Sequence, residues 1–303
     1  MATWSKKISS CEQEKIINFF KKNTSQGPKN KYLKFFHKQK DLTISLFTNN
    51  TLLLQGSADT IEKFKNHFFD LNLIKKEKKF KAKLINCNDS YIGCDEVGVG
   101  DYYGPIVTCA CYIKPDDVAL LKNLSINDSK LMSDHKILKS FEILNKKIKY
   151  HATICDNKTY NRLHDKYQNN KIILAFLHNK TLISLKRKIN DSATKIVMDE
   201  FTSPQIYDKY LKTIDPKISI KIDLFQTKAE KNFLAVACAS VIARALFLLE
   251  IKKMEKSIKK KIPLGANKKE EIIDLGIYLL HLHKLDAFAK LDFKPITNKI
   301  INK

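Results

Sequence analysis

Residues 91–105 read YIGCDEVGVGDYYGP. An apolar run ends at two adjacent carboxylates, Asp95 and Glu96, and a loop with three glycines follows. The next residues, IVTCACYI, are again apolar, so the pattern predicts two neighbouring strands joined by a glycine-rich turn. The chain carries a formal net charge of +23. Two acids at this point are therefore either ordinary turn residues or ligands of a cation.

The composition sets broad limits on fold and partners. With 303 residues, 44% of them hydrophobic, the chain can bury an ordinary core in one large domain or two unequal ones. Its 55 Lys and Arg against 32 Asp and Glu favour a polyanionic partner, nucleic acid before an anionic membrane. Only three of the basic residues are arginine, a bias that A+T-rich coding also produces. Charge alone therefore indicates nucleic acid only weakly.

Cysteine usage and hydropathy predict the compartment. The seven cysteines are an odd number without a CxxC pair, which is typical of a reducing cytoplasm. The N-terminal residues MATWSKKISSCEQEK lack the apolar core of a signal peptide. Residues 232–249 are nearly uncharged but contain Arg244, which favours a buried helix over a membrane span. We expect a cytoplasmic protein without a membrane partner.

A lysine-rich segment, residues 74–83, separates two differently patterned parts. The first part is predicted to hold a helix at 10–22, three extended runs between 31 and 57, and a helix at 58–69. In the second part, strands are predicted first, and strands and helices then alternate. The predicted elements there are strands at 91–98, 104–113, 149–156, 194–201 and 219–225, and helices at 172–188 and 228–260. This order predicts a small α+β domain before an α/β domain with a mixed sheet between helices.

Acidic residues follow three of the predicted strands. Asp95 and Glu96 end one strand, Asp199 and Glu200 end another, and Glu230 precedes the long apolar helix. Neighbouring strand residues point to opposite faces, so one member of each pair would face a shared site unless the backbone turns. We expect such a turn at Asp95–Glu96, because Gly98 follows, and we expect Asp199 alone from the second pair.

Converging carboxylates suit a divalent metal ion. Taken singly, each acid is more often a solvated residue at a strand end. As a set beside apolar segments, they would repel one another unless cations lay between them, and oxygen ligands suit Mg²⁺ or Mn²⁺. A two-ion carboxylate site supports in-line displacement at phosphorus. The histidines do not form a further site, because His281 and His283 lie two apart on a predicted helix.

The glycines have more than one interpretation. GVGDYYG departs from the dinucleotide fingerprint GxGxxG because Tyr103 occupies the third glycine position. Adjacent acids would also repel a pyrophosphate. The other use of Gly98 and Gly100 is close approach of the backbone to a ligand. An RNA 2′-hydroxyl, both donor and acceptor, fits such a contact.

Six motifs in order resemble the ribonuclease HIII family. They are DEVGVGDYYGPIVTCACYI (95–113), NDSKLMSD (127–134), LAFLHNK (174–180), VMDEF (197–201), TKAEKNFLAVACASVIAR (227–244) and IPLGA (262–266). The match spans nearly all of residues 85–300. The resemblance implies an RNase H-like domain, residues 81–303, preceded by a domain similar to one repeat of the TATA-binding protein, residues 1–80.

The resemblance also implies the site. Asp95, Glu96, Asp199 and Glu230 match the family's catalytic acids and would hold two ions of Mg²⁺ or Mn²⁺. The residues matched to substrate contacts are Gly98, Val99 and Gly100 at the RNA 2′-hydroxyls and Ser129 and Lys130 near the substrate backbone. Two positions depart from the family pattern and put the detail of the rear substrate contacts in doubt. Asn267 stands where serine is usual, and Asp292 where histidine is frequent.

The expected function is an endonuclease that cuts the RNA strand of RNA–DNA hybrids, leaving 5′-phosphate and 3′-hydroxyl ends. We expect it to act as a monomer. The chain has no obvious counterpart of the junction-reading tyrosine of ribonuclease HII. This absence implies that the enzyme cleaves stretches of RNA in preference to single ribonucleotides. Two alternatives stay open: a DNA nuclease or resolvase on the same type of core, and a hybrid-binding protein without activity.

Overall fold

The computed structural model describes residues 2–21, 27–28, 30–74, 89–126, 132–189, 194–214, 220–265 and 268–302. The chain divides into two compact units, Met1–Ala82 and Lys83–Lys303, and each unit has its own buried apolar core. The sequence-predicted boundary between residues 80 and 81 falls in residues 75–88, outside the described residues.

The first unit is an antiparallel sheet packed on two helices. Its elements are β1 (Ala2–Lys7), α1 (Ser10–Phe19), β2 (Leu33–Gln39), β3 (Leu42–Phe47), β4 (Thr51–Gly56) and α2 (Ala58–Asp70). The sheet order is β1-β4-β3-β2. A capping box between Ser9 and Glu12 begins α1, and the Ser57 hydroxyl caps α2. The buried core includes Ile16 and Phe68 from the helices and Ile44 and Leu54 from the sheet.

Strand β1 was not predicted from the sequence. Its residues alternate between partly buried and exposed, and it pairs along its whole length with β4. The first unit therefore begins with a strand at the edge of the sheet, before the predicted first helix. The other predicted strands and both helices of this unit are present in the structure.

The second unit is a five-stranded mixed sheet between helices. Its strands are β5 (Tyr91–Val97), β6 (Ile106–Ile113), β7 (Lys149–Cys155), β8 (Lys195–Asp199) and β9 (Leu224–Gln226). Its helices are α3 (Asp117–Asn123), α4 (Asp134–Lys147), α5 (Asn157–Tyr167), α6 (Asn170–Ile189), α7 (Pro204–Ile214), α8 (Leu234–Ile258), α9 (Lys269–His281), α10 (Leu285–Phe288) and α11 (Lys294–Ile301). The strand order is β7-β6-β5-β8-β9. The predicted strand at 219–225 is present only as the short β9.

The central strand β5 separates two apolar layers. Tyr91 belongs to a core shared with α8, whereas Ile92 and Cys94 belong to a core shared with α6 and α7. A Cβ added to Gly93 would lie 2.2 Å from the Val236 amide nitrogen, so α8 and β5 touch backbone to backbone. Strand β5 runs antiparallel to β6 and parallel to β8, which brings the carboxyl ends of β5 and β8 to one edge.

Helix α8 is the long apolar helix that the sequence predicts between residues 228 and 260. It is the one helix of the described residues that is long and apolar enough to cross a membrane, with a mean hydropathy of 2.1 over its most apolar window. Two thirds of that window, 67%, is buried inside the protein, and a core helix meets the same criterion. Its packing on β5 and β6 gives it that role here.

Candidate active site

Two of the predicted acids lie where the pairing of two neighbouring parallel strands ends. The pairing of β5 with β8 runs to Cys94 opposite Met198, so the next residues, Asp95 and Asp199, lie side by side where this pairing ends. Cys94 and Met198 share the α6 face, and strand alternation therefore puts both carboxylates on the α8 face. The sequence prediction that Asp199, and not Glu200, faces the site agrees with this arrangement.

Asp95 is a partly buried acid among like charges. Its Oδ1 accepts a hydrogen bond from the Glu96 amide at 2.8 Å, and the Ser240 hydroxyl on α8 donates another. Burial, followed by the charge of Glu96 and, to a smaller extent, that of Asp199, raises the pKa of Asp95 well above its usual range, against these two hydrogen bonds. Negative charge is therefore concentrated here with little hydration to stabilise it.

Glu96 lies on the other face of the sheet, and the predicted backbone turn at Asp95–Glu96 is wrong. The β5–β6 pairing stays regular as far as Val97 opposite Val107, so the strand is still extended at both acids. The two side chains accordingly point to opposite faces. The strand ends at Val97, because the positive φ of 95° falls at Gly98.

Sequence reasoning missed the partner of Glu96. His178 on α6 is fully buried, and its Nε2 lies 3.0 Å from Glu96 Oε2. The imidazole stacks on Phe201, with the ring centroids 5.6 Å apart. The only sequence signal was a lone histidine inside the apolar stretch LAFLHNK. The contact joins residues 82 positions apart, which helical periodicity does not show.

A hydrogen bond made by the neighbouring residue, Ala229, brings Glu230 close to Asp199. Asp199 Oδ1 accepts the Ala229 amide at 2.9 Å. Ala229 begins a single 3₁₀ turn, Ala229–Lys231, that leads into α8. Glu230, the next residue, is 4% exposed. The turn that carries Glu230 is therefore tied to Asp199.

The structure thus brings Asp95, Asp199 and the Glu230 turn together at the start of α8, and it places Glu96 across the strand. Within the described part of the chain, no three His, Cys, Asp or Glu side chains are arranged closely enough to hold a metal ion. The carboxylates contact protein donors instead: Glu96 contacts His178, Asp199 the Ala229 amide, and Asp95 the Ser240 hydroxyl.

The glycine loop contains one residue that is open to a ligand. A Cβ on Gly98 would lie 2.2 Å from the Pro105 carbonyl oxygen, so the fold of the loop itself requires this glycine. Val99 packs partly on the apolar cluster around Ile106. Gly100 is exposed, and a Cβ there would meet nothing within 4 Å. Close backbone approach is therefore possible at Gly100, whereas Gly98 is occupied by its own chain.

Of the remaining residues of the motif comparison, the structure describes Asp292. Ser129, Lys130 and Asn267 lie outside the described residues. Asp292, the second departure from the family pattern, accepts a hydrogen bond from Asn170 at 2.9 Å and lies 3.8 Å from His164 Nε2. It therefore ties the segment before α11 to α5 and α6.

A polar cleft opens beside Asp95 on the α8 face. Its volume is about 290 Å³ and its lining residues are Val97, Met132, Asp134, Ile137, Ser240, Val241 and Arg244. Arg244 pairs with Asp134 at 3.2 Å and lies over the Phe247 ring at 5.4 Å. The cleft thus places a guanidinium on the same helix as the hydroxyl that contacts Asp95.

A mixed sheet whose parallel central strands end in acids, with a helix across one face, defines the RNase H-like class. A family model of ribonuclease HII matches residues 92–295. Ribonuclease HIII of Streptococcus pneumoniae strain CGSP14 is 34% identical over 95% of this chain and 96% of its own.

Solved structures agree with this relationship. The crystal structure of Bst-RNase HIII in complex with Mn²⁺ matches 99% of this chain and 98% of its own, at 26% identity and a TM-score of 0.68. Aquifex aeolicus RNase H3 matches 96% of this chain and 100% of its own, at 26% identity and a TM-score of 0.54. The chain belongs to the ribonuclease HII family and, within it, to the ribonuclease HIII group. The predicted fold class is confirmed, and the enzyme class is ribonuclease H.

Proposed function

We propose that this enzyme hydrolyses the RNA strand of RNA–DNA hybrids by a two-metal-ion mechanism and leaves 5′-phosphate and 3′-hydroxyl ends. The observation that carries the proposal is the side-by-side placement of Asp95 and Asp199 at the carboxyl ends of β5 and β8, with the Glu230 turn bonded to Asp199. Ligands of open α/β sheets bind at such strand ends.

The residues present fit divalent ions. Asp95, Glu96, Asp199 and Glu230 would hold them, since carboxylate oxygens suit Mg²⁺ and Mn²⁺. The raised pKa of Asp95, caused first by burial and then by the charge of Glu96, is the mark of negative charge that a cation would compensate. The Mn²⁺ complex of Bst-RNase HIII supports the same choice. When bound, the two ions would activate the attacking water and stabilise charge on the leaving 3′-oxygen.

The protein's own groups orient the site. The Ala229 amide holds Asp199, and Ser240 holds Asp95. His178 fixes Glu96 from the opposite layer of the sheet, so the carboxylates are aimed before substrate arrives. The exposed backbone at Gly100 is the place where a ribose 2′-hydroxyl is recognised, with Gly98 and Val99 shaping the turn. Ser129 and Lys130 would contact the substrate backbone.

The first unit would add binding surface for the hybrid. One face of its sheet is turned away from the helices. The polar residues of this face include Ser5 and Lys7 of β1, Gln55 of β4, and Thr43 and Lys38 of β3 and β2, beside the apolar Leu53 and Phe36. Hydroxyl, amide and ammonium groups on a sheet suit a phosphate backbone. The net charge of +23 adds affinity that falls with salt. We expect a cytoplasmic monomer.

A cleavage assay tests the proposal. The substrates are an end-labelled RNA–DNA hybrid, an all-DNA duplex and single-stranded RNA, each with Mg²⁺, Mn²⁺ or chelator. We expect metal-dependent cuts in the RNA of the hybrid alone, and the fragments should be extendable by a DNA polymerase because they end in 3′-hydroxyls. Equal cleavage of the all-DNA duplex would identify a DNA nuclease instead. Binding of the hybrid without cleavage under any ion would identify a hybrid-binding protein.

A further inference from the structure

A lysine side chain is buried beneath the loop that follows β5. Lys290, just after α10, is 0% exposed. Its Nζ donates to the carbonyl oxygens of Asp101 at 2.6 Å and Gly104 at 2.7 Å. Both acceptors are backbone groups of the glycine loop, residues 98–105. Among the ion pairs formed by the described residues, none includes Lys290.

Packing alone does not account for this lysine. Burial lowers the pKa of Lys290 to about 8, and the charges of Asp101, Asp292 and Cys155 offset only part of that effect. A methionine of similar length would fill the volume without the cost of burying an ammonium group. What distinguishes lysine from methionine here is the pair of hydrogen bonds to the loop.

These hydrogen bonds belong to a set that holds the loop at Asp101 and Gly104. The Asn157 side chain also donates to the Gly104 carbonyl at 3.0 Å, and the Gly104 amide donates to the Phe288 carbonyl at 3.1 Å. At Asp101, the side-chain Oδ1 also accepts the Gly265 amide at 2.9 Å. Gly100, immediately before Asp101, is exposed and has open space around it. The anchors therefore fix the exposed backbone without covering it.

We propose that Lys290 is a positioning residue for sugar discrimination: by holding the Asp101 and Gly104 carbonyls it fixes the Gly100 backbone against the ribose of the RNA strand. The inference rests on the proposed hydrolysis of hybrids. Recognition of a single hydroxyl requires its partner to be held within about 0.5 Å. A site built to hydrogen-bond a hydroxyl rejects the analogue without it because its own polar groups then stay unpaired.

The test compares Lys290→Met with Lys294→Met. Lys294 is an exposed lysine four positions along the chain, so both variants lose one positive charge and only the first loses the loop anchor. Each enzyme is assayed on a hybrid with an all-RNA strand and on one with a single 2′-deoxynucleotide 5′ to a unique cleavage site. For Lys290→Met we expect kcat/KM on the all-RNA strand to fall about 10- to 100-fold. The preference for ribose should fall with it, whereas Lys294→Met should keep both values.

Hydrogen exchange gives a readout that needs no substrate. Amides of residues 98–105 should exchange faster in Lys290→Met, while those of β5 and β8 stay protected. If Lys290→Met does not fold, Asn157→Ala removes one donor from the Gly104 carbonyl and should change exchange and sugar preference in the same direction, by less. A wild-type enzyme that cleaves hybrids, together with a Lys290→Met variant of unchanged sugar preference and loop exchange, overturns the inference alone. A wild-type enzyme that cleaves no hybrid overturns the proposed function, and the sugar role with it.

Discussion

Asp199, the last residue of β8, illustrates how a single residue sets the chemistry of this site. Asp199 Oδ1 accepts the Ala229 amide, so an asparagine can keep that hydrogen bond while losing the charge. A neutral amide is a poor ligand between two cations. We expect Asp199→Asn to lower turnover at least about 100-fold, with a melting temperature unchanged or raised because one charge beside Asp95 is removed. Turnover and thermal melts measure both.

Glu200 supplies the matched control for that substitution. It follows Asp199 directly, is also partly buried, and has no assigned role. Glu200→Gln should therefore keep near-normal turnover. If Asp199→Asn cleaves as fast as Glu200→Gln with a normal melting curve, Asp199 is not a metal ligand.

His178 acts on Glu96 from within the apolar layer. Replacement by phenylalanine keeps the ring that stacks on Phe201 but removes the nitrogen 3.0 Å from Glu96 Oε2. Loss of such an orienting partner typically costs about 10- to 100-fold in metal affinity or activity. We expect His178→Phe to weaken Mn²⁺ binding, measured by titration calorimetry, and to lower kcat/KM by a factor in that range. His178→Gln, which can still donate to Glu96, should recover part of both. Unchanged Mn²⁺ affinity in His178→Phe would show that the His178–Glu96 pair only contributes to packing.

The lowered pKa of Lys290 predicts that the stability of the protein depends on pH. Its pKa is lowered from 10.5 to about 8 by burial, so between these values the unfolded chain keeps a proton that the folded chain has released. The unfolded state then binds more protons, and the free energy of unfolding rises with pH, by up to about 3 kcal/mol across this window. Below pH 8 both states are protonated and this contribution is flat. Denaturant titrations at pH 7, 8.5 and 10 should show this extra rise in the wild type and not in Lys290→Met. Parallel curves for the two proteins would contradict the lowered pKa.

At the scale of secondary-structure elements, the site depends on contact between α8 and β5. A Cβ on Gly93 would meet backbone atoms of Ala235 and Val236 at 2.2–2.3 Å, and backbone does not yield as a side chain end does. We expect Gly93→Ala to force α8 away from the strand and to destabilise the protein by about 3 kcal/mol or more. Gly100→Ala adds the same methyl group to open space and should leave the denaturation midpoint within experimental error. Equal midpoints for the two variants would show that the α8–β5 contact is not tight.

The sequence predicts best those helices and strands whose hydropathy pattern is complete within the element itself. Strands β5, β6 and β8 are continuous apolar runs, and α8 is a long one, so their places follow from hydropathy. Strand β1 was missed because its short alternation ends in lysines and is completed only by pairing with β4. The backbone turn expected at Asp95–Glu96 was wrong for a similar reason, since pairing with β6 and not the nearby Gly98 determines the backbone there. The His178–Glu96 pair likewise exists only once α6 packs on the sheet.

The role of a residue that departs from the family motif, such as Asp292, is visible only from its tertiary contacts. Asp292 raised doubt about substrate contacts in the sequence, yet in the structure it pairs with Asn170 and His164. Lys290, two residues earlier, carried no signal beyond being one lysine among many. A buried ammonium is recognisable only when its neighbours are known, because composition does not separate it from the exposed lysines.

At the scale of the whole molecule, the two units have separate cores and separate proposed tasks. Every acid assigned to catalysis lies in the second unit, Lys83–Lys303. A chain that begins at Lys83 should therefore bind the hybrid more weakly while its single-turnover rate at saturating substrate falls much less. Each phosphate contact contributes about −0.9 to the slope of log affinity against log salt, so the shortened chain should also show a shallower slope. Affinity and single-turnover rate across a salt series measure both quantities.

A full-length variant separates loss of contacts from loss of folding support. Lys7 and Lys38 are exposed on the face of the first unit's sheet that is turned away from its helices, and Lys7→Gln with Lys38→Gln removes two charges without shortening the chain. If that face binds the hybrid backbone, the slope of log affinity against log salt should be less steep in the double variant, by up to about 2. The single-turnover rate at saturating substrate should stay the same. Unchanged affinity in both the double variant and the shortened chain would assign the first unit to another task, such as docking a partner protein. Lost turnover at saturation in the shortened chain alone would place structural support for the active site in residues 1–82.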